Sequence, residues 1–193
     1  KTTVINLMAR LFDADSGDIL IDGIPIKEVN LFDLRNSIGF VPQDAFLFSD
    51  TIRNNIKIGK EDATDEEVIQ AAKDAYIDHN IQEFSKKYDT LIGERGVTLS
   101  GGQKQRISIA RALISEPKIL IFDDCLSAVD TETEEIILNN LNRVREGKTT
   151  IIVSHRPSSV KNADKIIVLH EGQIVQRGTH DTLINISGYY QDI

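Results

Sequence analysis

Val4, Ile5, Leu7, Met8, Leu11 and Phe12 recur at helical spacing, so the chain opens in a helix expected to end near Asp13. Asp18-Ile-Leu-Ile-Asp22 then alternates apolar and polar, and Gly23 stops it, which reads as a strand and a turn. Ile38-Gly-Phe-Val41 is a second short apolar run, closed by Pro42. From Thr51 to about Ser115 the periodicity is helical. Thr64 and Glu67 there have capping-box spacing ahead of Val68, Ile69, Ala71 and Ala72. A strand is expected to interrupt this stretch only around Tyr88 to Ile92. Alternation then resumes: strands over Lys118–Phe122 and Thr149–Val153, a helix over Thr131–Glu146, strands over Lys165–Leu169 and Gln173–Gln176, and a last helical region from Thr179.

Near-continuous apolar strands alternating with amphipathic helices imply a parallel sheet covered on both faces. The expected class is therefore α/β. Residues 1–50 and 116–193 would form the α/β core, 51–115 an inserted α-helical subdomain, and the C-terminal region would be helical. No internal repeat, low-complexity tract or flexible linker stands out.

Composition narrows this little. With 193 residues, 40% hydrophobic and 27% charged, the chain is long enough for one domain with a substantial core. Runs such as Ile119-Leu120-Ile121-Phe122 and Ile166-Ile167-Val168-Leu169 are strand-length, far from the roughly 20 apolar residues that cross a bilayer. Any membrane attachment is expected from another part of the protein. The net charge of −8 argues against non-specific nucleic-acid binding. One cysteine, Cys125, rules out an internal disulfide and suits a reducing compartment. Lys1-Thr2-Thr3 leads into an amphipathic pattern rather than an apolar signal sequence. The absence of an initiator methionine leads to the expectation of a fragment.

Candidate chemistry clusters at strand ends. Asp123 and Asp124 follow the apolar strand Ile119–Phe122, and ligands of open α/β sheets bind beyond the carboxyl ends of strands. A carboxylate there can hold Mg²⁺, or simply be a solvated strand end. Ser154-His155-Arg156 ends the next strand. An imidazole in that place can donate to a phosphate or to an attacking water, or serve only as a cap. Gln43, just after Pro42, is a candidate metal or water ligand, or a turn residue. Lys1-Thr2, directly before a helix, is what the end of a phosphate-binding loop looks like, with Lys for the outer phosphates and a hydroxyl for Mg²⁺.

Leu99-Ser100-Gly101-Gly102-Gln103 opens a helix running through Ile107, Ile109, Ala110, Leu113 and Ile114. Ser100 is a fitting N-cap. Two glycines in a first turn cost of order 1 kcal/mol each relative to alanine, which a purely structural helix start has no need to bear. They let an anion approach the exposed N–H groups at the positive helix end.

Here the resemblance becomes specific. Ser100 to Gln103, extended by Lys104-Gln105-Arg106, resembles the signature motif of ATP-binding-cassette (ABC) ATPases. Lys1-Thr2-Thr3 resembles the end of the Walker A loop, Gln43 the Q-loop, and Ile119 to Asp123 Walker B. Ser127-Ala128-Val129-Asp130 resembles the D-loop and His155 the switch histidine. These elements stand in the family's order, and the resemblance covers the whole chain. Gly93-Glu94-Arg95-Gly96 resembles the X-loop of exporters. Val41 to Asp44 and Phe48 to Ile52 are also exporter-like. Phe46, Leu47 and Phe48 either line a groove for a membrane-domain coupling helix or pack inside the helical subdomain.

The resemblance implies a P-loop NTPase (RecA-like) core: a single ABC ATPase domain lacking its N-terminal part, its glycine loop included, so that the chain alone would bind ATP weakly. It also implies ATP and Mg²⁺ as cofactors, and an ATPase driving export at the cytoplasmic face of a cell membrane. Its partners would be the transmembrane domain of the same transporter and a second ABC ATPase domain, in a homo- or heterodimer. Two such domains would meet head to tail around ATP. Lys1, Thr2 and Thr3 would bind nucleotide, and Thr2, Gln43 and Asp123 the metal. Asp124, His155 and Gln43 would act in hydrolysis. Ser100, Gly101, Gly102 and Gln103 would complete the partner's site, and Asp130 would also bind nucleotide.

One position departs from the pattern. The family usually has Glu where this chain has Asp124, shorter by one methylene, and misplacement near 1 Å costs about a hundredfold in rate. A degenerate half of a heterodimeric exporter, with little turnover of its own, is therefore an alternative. A soluble ABC ATPase acting on DNA or ribosomes is another, and a nucleotide-binding regulatory module a third.

Overall fold

A computed structural model describes residues 1–93, 96–144 and 147–192. In chain order its elements are α1 (Thr2–Met8), the short strands β1 (Leu20–Ile21) and β2 (Ile24–Pro25), α2 (Leu31–Asn36) and β3 (Ile38–Val41). There follow α3 (Ile52–Lys57), α4 (Asp65–Asp74), α5 (Asp78–Glu83), α6 (Gly101–Leu113), β4 (Ile119–Asp123) and α7 (Thr131–Val144). The chain closes with β5 (Thr149–Val153), α8 (Pro157–Val160), β6 (Ile166–His170), β7 (Gln173–Gly178) and α9 (His180–Leu183).

The expected parallel sheet is present in β3, β4 and β5, with β4 central. Val41 pairs with Phe122 and Asp123 with Val153, so the three strands end together on one edge. Leu120, Ile121 and Phe122 are buried, as a strand covered on both faces requires. β6 and β7 do not join this sheet. They form their own antiparallel pair, joined at Glu171-Gly172, where both residues have positive φ. Ile167, Ile174 and Val175 stay exposed on it, because a two-stranded ribbon covers only one face.

Other boundaries shift. α1 ends at Met8 rather than near Asp13, because Arg10 turns left-handed at φ 49° and Leu11 N–H closes back on Asn6 O at 2.9 Å. The strand expected over Asp18–Asp22 shrinks to Leu20–Ile21, paired with β2 across Gly23. Around Tyr88 to Ile92 there is a single 3-10 turn plus isolated bridges, Thr51 to Leu91 and Ile92 to Val97. The expected C-terminal helical region is one turn, α9, capped by Thr179. α7 is described to Val144; Glu146, the expected end, lies outside the described residues.

The helical segment shares its core with the sheet. One buried cluster runs from Ile52, Ile56 and Val68 through Ile107 and Ile109 to Leu120, Phe122 and Ile137. Each such side chain contributes about 1.5–3 kcal/mol on burial. The capping box of α4 forms, with Glu67 N–H donating to Thr64 and Thr64 N–H to Glu67. α6 is buried nearly all round, so its polar side chains must find internal acceptors. Gln105 donates to Pro42 O at 2.9 Å, and Arg106 to Tyr76 O at 2.6 Å.

Candidate nucleotide site at the carboxyl edge of the sheet

The site is built on the edge where β3, β4 and β5 end. Thr2, in the first turn of α1, donates from Oγ1 to Asp123 Oδ1 at 3.2 Å. Asp123 is buried at the end of β4. Lys1 Nζ donates to Ser154 O at 3.0 Å, which sets the ammonium beside the loop of exposed His155. Thr3 is exposed in the same turn of α1. Thus Lys1, Thr2, Asp123 and the His155 loop come together although they span the chain. Gln43 is exposed, two residues beyond the end of β3.

Asp124 is half-buried and left-handed, at φ 46°. Asp is one of the few L-residues that tolerates that conformation well. Its N–H continues the sheet to Val153 O at 2.8 Å, and its carbonyl accepts from Ser127 Oγ at 2.7 Å. The strand therefore ends in a tight turn that carries residues 127–130.

Ser100 is the N-cap of α6. Gln103 N–H donates to Ser100 Oγ at 3.2 Å, and Ser100 N–H to Gln103 Oε1 at 3.0 Å, a reciprocal capping box. A Cβ on Gly101 would meet nothing within 4 Å, whereas one on Gly102 would stand 3.2 Å from Ala128 O. The positive end of a 13-residue helix is thus open at Gly101 and packed against the 127–130 loop at Gly102. Among the described residues no hydrogen bond joins Ser100–Gln103 to Lys1, Thr2 or Asp123. Asp130 caps α7 through Thr133 N–H at 2.9 Å. That bond, with the Arg106 charge assisting, holds its carboxyl below the usual range.

The family model described as ABC transporter matches residues 1–127. The chain belongs to the ABC transporter family. It is 49% identical over 192 residues to a probable multidrug resistance ABC transporter ATP-binding/permease protein of Bacillus subtilis (strain 168). It is 51% identical over 193 residues to a putative multidrug export ATP-binding/permease protein of Staphylococcus aureus (strain NCTC 8325 / PS 47). Each match covers 100% of this chain and 33% of the relative, so the chain spans about a third of their length. Among solved structures, a bacterial Atm1-family ABC exporter with ATP bound superposes with a TM-score of 0.95 at 44% identity, over 100% of this chain and 34% of that one. The P-loop NTPase fold expected for an ABC ATPase domain is therefore present.

The Phe46–Phe48 segment has defined surroundings. Phe46 and Phe48 are 64% and 50% exposed and meet edge to face at 4.9 Å, while Leu47 packs against the core. Of the Gly93–Gly96 element, Glu94 and Arg95 lie outside the described residues.

Sequence reading missed the polar residues that hold these loops. Arg111, late in α6, donates to Asn55 O at 2.8 Å, Asn55 Oδ1 at 3.0 Å and Phe46 O at 2.9 Å. Asn55 in turn donates to Phe48 O at 3.0 Å and accepts from Phe48 N–H at 2.9 Å. Glu134 is buried on the α7 stripe that also carries Ile137 and Leu141. It accepts from Arg156 Nη1 at 3.0 Å and from Ser159 Oγ. The available signal was a charged residue at an apolar position of a helical repeat.

Proposed function

We propose that this chain is the ATP-binding and ATP-hydrolysing domain of an ABC exporter. It pairs head to tail with a second ABC ATPase domain at the cytoplasmic face of a membrane and is coupled to a transmembrane part. The observation that carries this reading is the approach of Thr2 Oγ1 to Asp123 Oδ1 at 3.2 Å, with Lys1 alongside on Ser154 O. The similar proteins are named ATP-binding/permease proteins, which supports the membrane coupling, since two thirds of their length lies outside this match. They disfavour a soluble ATPase working on DNA or ribosomes.

Mg²⁺ suits this donor set. Neighbouring oxygens of an octahedral Mg²⁺ lie about 2.9 Å apart for bonds of 2.0–2.1 Å, close to the observed separation. Among the described residues no group of three His, Cys, Asp or Glu forms a metal cluster. The ligands that would hold it are a hydroxyl, a carboxylate and an amide, from Thr2, Asp123 and Gln43. Held there, Mg²⁺ would supply positive charge toward the outer phosphates. Lys1 adds a second positive charge, and His155 and Asp124, from adjacent strand ends, orient water. Ser100, Gly101 and Gly102 would present their helix N-terminus to a nucleotide on the partner domain, where donors aimed at developing charge lower the barrier. Exposed Phe46 and Phe48 form the natural contact for the transmembrane part.

The test is ATP turnover by the full-length transporter in lipid nanodiscs, with and without Mg²⁺. Turnover that requires Mg²⁺ and collapses in Lys1→Ala is expected. Wild-type turnover no higher than that of Lys1→Ala would overturn the proposal.

A further inference from the structure

The polar contacts behind the site form one continuous strap. Arg156, directly after His155, donates from Nη2 to Ser127 O at 3.0 Å and from Nη1 to Val129 O at 3.4 Å, so its guanidinium grips the 127–130 loop by two carbonyls. The same guanidinium is anchored at 3.0 Å by Glu134 Oε2, whose side chain is only 3% exposed. Glu134 Oε1 holds Ser159 Oγ, which accepts from Ser154 Oγ at 3.1 Å. Ser154 Oγ accepts Arg156 N–H at 2.9 Å, and Ser154 O accepts Lys1 Nζ. On its far side the 127–130 loop leaves only 3.2 Å between Ala128 O and a Cβ at Gly102.

A carboxylate buried this deeply is costly unless fully paired. Hydrophobic packing would hold α7 without it. Glu134 is fully engaged, and each of its partners belongs to the His155 loop or the segment just after it. We propose that Arg156 and Glu134 are a positioning pair. They lock the His155 loop to the 127–130 loop, and so couple the half-site around Lys1, Thr2 and Asp123 to the half-site at Ser100–Gly102. Arg156 is no ligand in this proposal; its reach to three acceptors sets the distance between two loops that carry ligands. Lysine cannot replace it, because a single ammonium cannot span the fork. The inference rests on the ATPase reading of the same site.

The experiment uses the full-length transporter with Glu134→Gln, Arg156→Lys, Arg156→Ala and the double variant Glu134→Gln/Arg156→Ala. Amide hydrogen exchange is the first readout, because Ser127, Val129, Arg156 and Ser159 all have bonded N–H groups to lose. Each single variant is expected to speed exchange in both loops, 127–130 and 154–159. Faster exchange in only one of the two loops overturns the strap. In ATP turnover, normalised to folded protein, kcat is expected to fall roughly tenfold to a hundredfold, with KM within twofold. Arg156→Lys should fail to rescue, and the double variant should be no worse than the poorer single one. Both loops loosened with kcat unchanged, or losses that multiply in the double variant, overturn the positioning role. A wild-type transporter without turnover would refute the proposed function instead, and the exchange readout would still decide the strap.

Discussion

Thr2 Oγ1 and Asp123 Oδ1 stand 3.2 Å apart across 121 positions of sequence, joining the first turn of α1 to the end of the central strand. If they share a cation, removing either oxygen should cost far more than one surface hydrogen bond. Thr2→Ala and Asp123→Asn are expected to lower ATP turnover by roughly two orders of magnitude. Thr2→Ser, which keeps the hydroxyl, should stay within a few-fold of wild type. Turnover measured against Mg²⁺ concentration checks this, and the Thr2→Ala curve should shift to higher Mg²⁺.

Gly101 separates helix formation from ligand approach. A methyl there meets nothing within 4 Å, and alanine favours a helix by up to about 1 kcal/mol over glycine. Gly101→Ala should therefore unfold at the same or a higher temperature while turnover falls at least tenfold. Calorimetry beside an ATPase assay distinguishes the cases. Unchanged turnover would reduce the paired glycines to a helix start.

Asp124 combines a short side chain with a left-handed backbone at φ 46°. Asparagine tolerates that conformation as well as aspartate does, so Asp124→Asn should keep its melting temperature. If Asp124 orients water, turnover in that variant collapses. Asp124→Glu restores the longer reach at some backbone cost, and a rise in single-turnover rate would mark the native residue as slow. No change in either variant would mark this site as non-hydrolytic.

Cys125 is buried behind Walker B, and burial pushes its thiol up to about 12. At pH 8 only about one molecule in ten thousand carries the reactive thiolate. Maleimide labelling of the native protein should track global unfolding rather than reagent concentration. Fast stoichiometric labelling would show that this part of the core opens.

Much of this was legible in the residues. Strands β3, β4 and β5 announce themselves as apolar runs closed by polar residues, and Ser100-Gly101-Gly102-Gln103 marks both a cap and a site. Periodicity could not show that Ile166–Leu169 leaves the main sheet, since apolar strands of either kind look alike over a few residues. Nor could it show the early end of α1, decided by a left-handed Arg10 with no sequence signature of its own. The strap of Arg156 and Glu134 escaped because Glu134 and Arg156 stand 22 positions apart and Arg156 grips the 127–130 loop through the carbonyls of Ser127 and Val129, which every residue type supplies equally.

Arg111 binds the Phe46–Phe48 loop directly and through Asn55, and the turn after α3 lies so near that a Cβ on Gly59 would meet Arg111 O at 2.0 Å. Eleven residues earlier on the same rigid rod sits Ser100, about 17 Å away at 1.5 Å per residue. The aromatic loop and the glycine pair are therefore two ends of one lever. A push on the first either breaks several hydrogen bonds or swings the second.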